Sequence, residues 1–226
     1  MRTGLLEGTF DPVHVGHLDV ARAAREALGL DEVLLLPSKV PPHRGGGPQT
    51  SAYHRFAMVA LAVLDQPGLG ASDLELRGPA PSYTAATLGR LAGLGRDPLE
   101  LFFITGADAF AEIATWRDYP ALLDRAHFVA VARPGHAVGA LREKLPAWSS
   151  RMIDIGANAA PAGGLPVTPS IFLVDRLTTD VSSTEIRRRI RDGAAVGGLV
   201  PALVERHLRR HLLYTPLAPA ADDLHG

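Results

Sequence analysis

The sequence predicts an α/β fold on a doubly wound parallel sheet, and three observations carry that expectation. Apolar blocks at residues 33–36 (VLLL), 101–104 (LFFI) and 128–132 (FVAVA) are too short for spanning helices and nearly continuous, as strands buried on both faces are. Amphipathic stretches of helical length separate them. Each chemically loaded segment begins where a strand block ends, which is where an open parallel sheet forms its ligand crevice.

Taken in order, a short apolar run with Leu5 and Leu6 predicts a strand over 3–7, and the Ala-rich amphipathic segment after it a helix over about 17–28. The VLLL block gives a strand at 32–36. A helix over about 51–64, a strand at about 72–76 and a helix over about 83–93 follow, the last opening on PSYTAATL with Ser82 as its cap and Tyr83 and Thr84 in its first turn. LFFI gives a strand at 99–104, short helices reach to about 124, and FVAVA gives a strand at 127–132. SIFLVD, 170–175, reads as a final strand before VSSTEIRRRIRDG and the C-terminal helix PALVERHLRRHL. The Pro- and Gly-rich stretches 37–48 and 156–169 read as surface loops rather than linkers, so one domain is expected over 1–214, with a mobile tail at 215–226.

Composition narrows the function classes. A chain of 226 residues that is 46% hydrophobic and 21% charged is an ordinary globular protein with room for a large core. Its net charge of −1 gives no electrostatic reason to expect a nucleic-acid or membrane partner. The absence of Cys excludes disulfides, thiolate chemistry and Cys-based metal sites. No basic-then-apolar leader heads the chain and no apolar run reaches membrane-spanning length, so a cytoplasmic location is expected.

The most informative segment is EGTFDPVHVGHL, 7–18, a strand-to-helix connection carrying two histidines. Gly8 lets the backbone approach a ligand closely, Gly16 frees the start of the helix, and a helix N-terminus offers N–H groups to an anion. His14 and His17, three apart, can face one phosphate chain together. A zinc site is disfavoured, since neither Cys nor HExxH spacing accompanies the pair. Glu7 is the local oddity, because an acid beside bound phosphate is unfavourable unless it points away.

Further segments fall at the same sheet edge. PSKVPPHR presents Lys39, His43 and Arg44 on a Pro-stiffened loop suited to reach over phosphates. FFITGADAF puts Gly106 and Asp108 at a strand end, where a carboxylate can accept from ribose hydroxyls. Trp116 and Tyr119 lie beside a turn, and Arg133 closes FVAVARPG. Ser182, Ser183 and Thr184 start a helix with Glu185 in its first turn, and Arg187 lies three beyond Thr184, so hydroxyls, N–H groups and one guanidinium could grip a phosphate. The Arg run itself fans around the helix instead of forming a nucleic-acid stripe.

HVGH, together with GTFDPVHVGHL, resembles the T/HxGH nucleotidylyltransferase superfamily. PPHR, SYT, ITGADAF with the following Trp116, ARPG and VSSTEIR narrow the resemblance to the bacterial nicotinate mononucleotide adenylyltransferases over nearly the whole chain. The resemblance implies a Rossmann-like fold with a C-terminal helical segment, and adenylyl transfer from ATP to nicotinate mononucleotide, a step of NAD biosynthesis. It implies that His14, His17 and Arg187 stabilise the transferring phosphates and that His43 and Arg44 contact phosphate, with Lys39 on the same loop. Gly8, Thr9, Phe10, Gly16 and Ser182–Thr184 would line the ATP side, and Gly106 and Asp108 would hold its sugar. Tyr83, Thr84, Trp116, Tyr119 and Arg133 would surround the pyridine nucleotide. No protein metal site is implied; Mg2+ would arrive on the ATP phosphates. Partners are then these two small molecules, and a homo-oligomer is compatible with the sequence. Two positions depart from the pattern: Glu7, where a small residue is expected, and Ala86, where an Asp is expected, which leaves the positioning of Thr84 without its carboxylate. A smaller superfamily transferase acting on phosphopantetheine or on CTP with an alcohol phosphate is the nearest alternative. A catalytically silent nucleotide sensor would keep Gly106 and Asp108 but have no use for His14, His17, Thr184 and Arg187.

Overall fold

Parallel pairing runs through the whole sheet of the protein, known here from a computed structural model that describes residues 1–41, 48–78, 80–156 and 165–216. In chain order the elements are β1 (Thr3–Gly8), α1 (Val15–Leu28), β2 (Glu32–Pro37), α2 (Ala52–Val63), β3 (Leu69–Ala71), α3 (Thr84–Gly93), β4 (Leu101–Gly106) and α4 (Ala107–Phe110). They continue as β5 (His127–Val131), α5 (Leu141–Lys144), β6 (Met152–Ile155), β7 (Ile171–Val174), α6 (Ser183–Arg191) and α7 (Ala202–Arg210). The strands form one sheet in the order β3-β2-β1-β4-β5-β7-β6. Strand order runs one way from β1 through β2 to β3 and the other way from β4, so the crevice opens at the carboxyl ends of β1 and β4.

Alternation along each strand divides the core. Leu6, Phe102, Ile104, Val129 and Phe172 face one cluster with α1, α2, α6 and α7, whereas Leu5, Phe103, Phe128, Ala130 and Leu173 face the other with α3 and α4. Helices therefore cover both faces, which is why the strand blocks read as continuous apolar runs. α1 stops at Gly29, whose φ of 58° is the left-handed turn that caps a helix, with the Leu30 N–H closing on the Arg25 carbonyl at 2.9 Å. Ser51 caps α2 by accepting from the His54 N–H at 3.2 Å. α7 returns the chain to α2, where His54 Nδ1 and His207 Nε2 meet at 3.1 Å.

Two elements differ from the sequence reading. The third strand is Leu69–Ala71 rather than 72–76: Leu74 and Leu76 alternate like a strand, but that stretch turns so that Glu75 is buried. The four-residue edge strand Met152–Ile155 is too short to announce itself by period. Ser82, expected to cap α3, instead accepts from the Lys39 N–H at 2.9 Å, and Tyr83 occupies the cap position. That contact holds the loop after β2 against α3.

His127 is fully buried on β5, stacked on Phe102 at 4.8 Å, with Nδ1 accepting from the Ser170 N–H at 3.0 Å. Burial, then the nearby Arg151 guanidinium, pulls its pKa from 6.5 down to about 4. The folded state therefore binds this proton less well than the unfolded state. The contribution is complete above pH 6.5 and is lost as pH falls from 6.5 towards 4, by about 3 kcal/mol. Denaturant unfolding measured across that window should show the fall, and His127→Gln should flatten it. An unchanged slope in the variant would contradict the assignment.

Candidate active site

At the carboxyl ends of β1 and β4 lies a cavity of about 370 Å³. Its lining comes from segments far apart in sequence: Glu7, Gly8, Thr9, His14, Gly16 and His17 from β1 and α1, Tyr83, Thr84 and Ala85 from α3, and Gly106, Asp108, Ala109, Trp116, Arg117 and Arg133 from beyond β4 and β5. Apolar walls with a few convergent polar groups are the usual make-up of a small-molecule site.

The histidine loop is geometrically constrained. Gly16 must be glycine, since a Cβ there would stand 2.9 Å from the Thr179 carbonyl oxygen. Phe10 adopts a left-handed φ of 50°, buried below the loop with its ring edge-on to His17 at 4.9 Å. The His14 backbone N–H donates to His17 Nδ1 at 3.2 Å. His17 Nδ1 is thus an acceptor, which leaves Nε2–H as the donor of a ring that lines the cavity. His14 stacks on it, centroids 3.6 Å apart. Burial, reinforced by the Arg133 guanidinium, brings the His14 pKa down to about 3, so His14 is neutral where the protein works.

Asp11 anchors this loop. It is buried, and its carboxylate accepts from the Tyr214 hydroxyl at 2.7 Å and the Gln49 N–H at 2.8 Å. Its carbonyl accepts from Arg187 Nη1 at 2.6 Å, while Arg187 Nη2 donates to Thr184 at 3.2 Å. Arg55, also buried, donates to the Thr9 carbonyl at 2.7 Å and the Lys39 carbonyl at 3.2 Å. Sequence reading missed Asp11, Arg55 and Tyr214. An arginine in the mostly apolar α2 was the available signal.

The remaining expected residues divide by place. On the cavity wall, Asp108 faces Arg133 at 3.4 Å with its other oxygen buried and unpartnered, Trp116 sits edge-on to Phe103 at 5.8 Å, and Arg117 lies over the Tyr83 ring at 5.0 Å. Gly106 admits this approach, since a Cβ there would collide with the Asp108 carboxylate. Thr84 donates to Glu7 at 2.9 Å, so the acid that looked out of place is a partner of the threonine left without the carboxylate expected at Ala86. Off the wall, Lys39 Nζ donates to the Gly78 carbonyl at 3.1 Å, and Tyr119 accepts from Trp148 Nε1 at 2.6 Å. Ser182 caps α6 through the Glu185 N–H at 3.2 Å, and Ser183 donates to the Pro12 carbonyl at 2.9 Å. Phe10, Thr184 and Arg187 likewise act on the loop from behind rather than from the cavity lining. His43 and Arg44 lie outside the described residues, as do residues 217–226 of the expected tail.

The cytidylyltransferase-like family model matches residues 5–189. A protein of Desulfatibacillum aliphaticivorans named probable nicotinate-nucleotide adenylyltransferase is 40% identical over 222 residues, 95% of this chain and 100% of its own. A protein of the same name from Thermus thermophilus is 41% identical over 214 residues, again 95% and 100%. The chain belongs to the nicotinate-nucleotide adenylyltransferases of the cytidylyltransferase-like family. Its fold matches that of Plasmodium falciparum nicotinic acid mononucleotide adenylyltransferase complexed with NaAD, with a TM-score of 0.70 at 15% identity over 94% of this chain and 97% of the other. The doubly wound sheet is thus the family's fold, and the adenylyltransferase loop is the one that Asp11 anchors.

Arg187 and Arg188 separate the anchoring role from general charge. Arg188 forms exposed ion pairs with Glu185 and Asp192 at 2.8 and 3.0 Å. Arg187→Lys, which cannot fork between Asp11 and Thr184, should lose turnover on the order of tenfold, while Arg188→Lys stays near wild type. Equal behaviour of the two folded variants would contradict this.

Proposed function

We propose that this chain transfers AMP from ATP to nicotinate mononucleotide, giving deamido-NAD and pyrophosphate. The observation that carries the reading is the His14–His17 pair, with His17 held as an Nε2–H donor on the wall of a cavity at the sheet's switch point. The names of the relatives support the choice of substrates.

In this reading a phosphate oxygen of the mononucleotide attacks the α-phosphorus of ATP, the α–β bridging bond breaks, and its electron pair leaves with pyrophosphate. The attacking phosphate is already anionic, so no general base is needed. The chain supplies alignment and charge neutralisation. His17 Nε2–H donates to charge developing on the phosphates; neutral His14 supports its ring by stacking. Arg187, with N–H groups beyond those bound to Asp11 and Thr184, adds positive charge at the loop's back. Gly106 and Asp108, both on the cavity wall, receive the ATP sugar. Trp116 and Tyr83 border the pyridine ring, and Arg133 favours a carboxylate on it.

Among the described residues no cluster of three His, Asp or Glu is arranged to hold a metal. Magnesium is expected to enter as part of the nucleotide substrate, held by phosphate oxygens and water, because that ion keeps much of its hydration shell. Among the same residues no helix is long and apolar enough to cross a membrane.

Pyrophosphate release with ATP and nicotinate mononucleotide tests the assignment. His17→Ala should keep its fold and lose on the order of a hundredfold or more in turnover; near-normal turnover would sink the role given to this ring.

Nicotinate mononucleotide should be preferred to its amide by at least about tenfold in kcat/KM, equivalent to about 1.4 kcal/mol. Trp116→Ala should raise KM for the mononucleotide more than for ATP. Equal use of acid and amide would refute the carboxylate reading and leave adenylyl transfer standing.

A further inference from the structure

Glu7 raises a physical problem that the reaction alone does not resolve: a carboxyl group on the wall of a cavity meant for two phosphorylated substrates. Its surroundings suggest how the cavity tolerates it. Residues alternate along β1, so Glu7 points to the same face as Leu5, towards α3. There Thr84, at the first turn of α3, donates to Glu7 Oε2 at 2.9 Å. Thr87, one turn further on, donates to Glu75 Oε1 at 2.8 Å. The two threonines thus set two carboxyl groups side by side. The oxygens left over, Glu7 Oε1 and Glu75 Oε2, are both enclosed and neither receives a protein donor.

Two enclosed carboxylates in contact cannot both be ionised, and two enclosed acceptors without a donor are costly. One proton between them removes both penalties. We infer that Glu7 and Glu75 form a carboxyl–carboxylate pair sharing one proton, which fixes Thr84 on the mononucleotide side of the cavity and keeps the Glu7 wall uncharged. This rests on the adenylyl-transfer reading for its substrate, though not for its chemistry.

The charges around the pair decide where the proton sits. Burial, and after it the charge of Glu75, push the Glu7 carboxyl well above the usual range. Three cations gather about Glu75. Arg55 of α2 interacts electrostatically with Glu75, Arg90 of α3 donates to the Leu74 carbonyl, and Lys39 donates to the Gly78 carbonyl at 3.1 Å, on either side of Glu75. The negative charge therefore resides on Glu75, away from the phosphates, and Glu7 presents a neutral acid. Because the Thr84 proton is committed to Glu7, its hydroxyl offers lone pairs to the cavity. Glu7 and Glu75 are positioning residues, acting on substrate through Thr84.

Substitutions distinguish a shared proton from simple packing. In Glu7→Gln the amide oxygen can accept from Thr84 while its NH2 donates to Glu75, so KM for the mononucleotide should stay within about twofold of wild type at neutral pH. Glu7→Leu, which holds neither neighbour, should raise that KM at least about fivefold with kcat much less affected. Glu75→Gln gives Glu7 a donor and lets it ionise, so KM should rise at neutral pH also. In the wild type KM should climb on the alkaline side as the shared proton leaves, and in Glu7→Gln that climb should vanish. An alkaline climb that persists in Glu7→Gln, or Glu7→Gln and Glu75→Gln that rise together, would overturn the inference.

Infrared difference spectroscopy, wild type minus Glu7→Gln at neutral pH without substrate, gives a reading independent of function. A carboxylic-acid carbonyl band is expected; carboxylate bands alone would overturn the inference whatever the substrate. A protein with the band that fails to turn over nicotinate mononucleotide would refute the proposed function and leave the shared proton in place.

Discussion

Buried Asp11 is the constraint on which the rest of the site depends. A carboxyl group with 2% exposure is tolerated only if donors meet it, and here they come from the segment before α2 and from the end of the described chain, while Arg187 of α6 holds the Asp11 carbonyl and keeps its guanidinium 3.9 Å from the carboxylate. Tyr214, kept protonated by burial and by Asp11 itself, is a committed donor to that carboxylate. Removing one member would leave a buried charge or hydroxyl unmatched, which is why such networks are destabilised strongly by single truncations. The FDP turn consequently has one arrangement, and the histidines that follow inherit it.

From that rigidity the electrostatics follow. The chain as a whole is nearly neutral, so attraction for phosphates has to be local. Arg187 and Arg55 sit behind the loop with their positive ends turned on its carbonyls, and Arg133 stands on the wall opposite His14. Donors held in place before the substrate arrives need no reorganisation during reaction, and that preorganisation is the source of catalysis where no covalent step or base is involved. The doubled carboxyls at Glu7 and Glu75 fit the same scheme, since a shared proton prevents the wall from repelling the nucleotides.

The architecture and much of the cavity could be read from the sequence because strands buried on both faces produce unbroken apolar runs and because switch-point loops carry the chemistry. Gly8, His14, His17, Thr84, Gly106, Asp108, Trp116 and Arg133 all reach one cavity although they span most of the chain. What stayed hidden was anything set by long-range hydrogen bonding. Ser82 reads as a helix cap, yet Lys39, 43 residues away in sequence, takes its oxygen. Tyr119 looks like a ring platform, yet Trp148 claims its hydroxyl. Glu75 imitates a strand position between Leu74 and Leu76, and only the fold reveals that it turns inward to meet Glu7. Local periodicity carries no information about such partners.

The tautomer of His17 tests the account most directly, because loop geometry and catalytic role meet in that one proton. In histidine-labelled protein at neutral pH, the nitrogen-15 shifts should report His17 as Nε2-protonated with Nδ1 as acceptor. Asp11→Asn, with its loop less firmly held, should show a mixture of tautomers. A wild-type His17 protonated on Nδ1 would contradict the account at its centre.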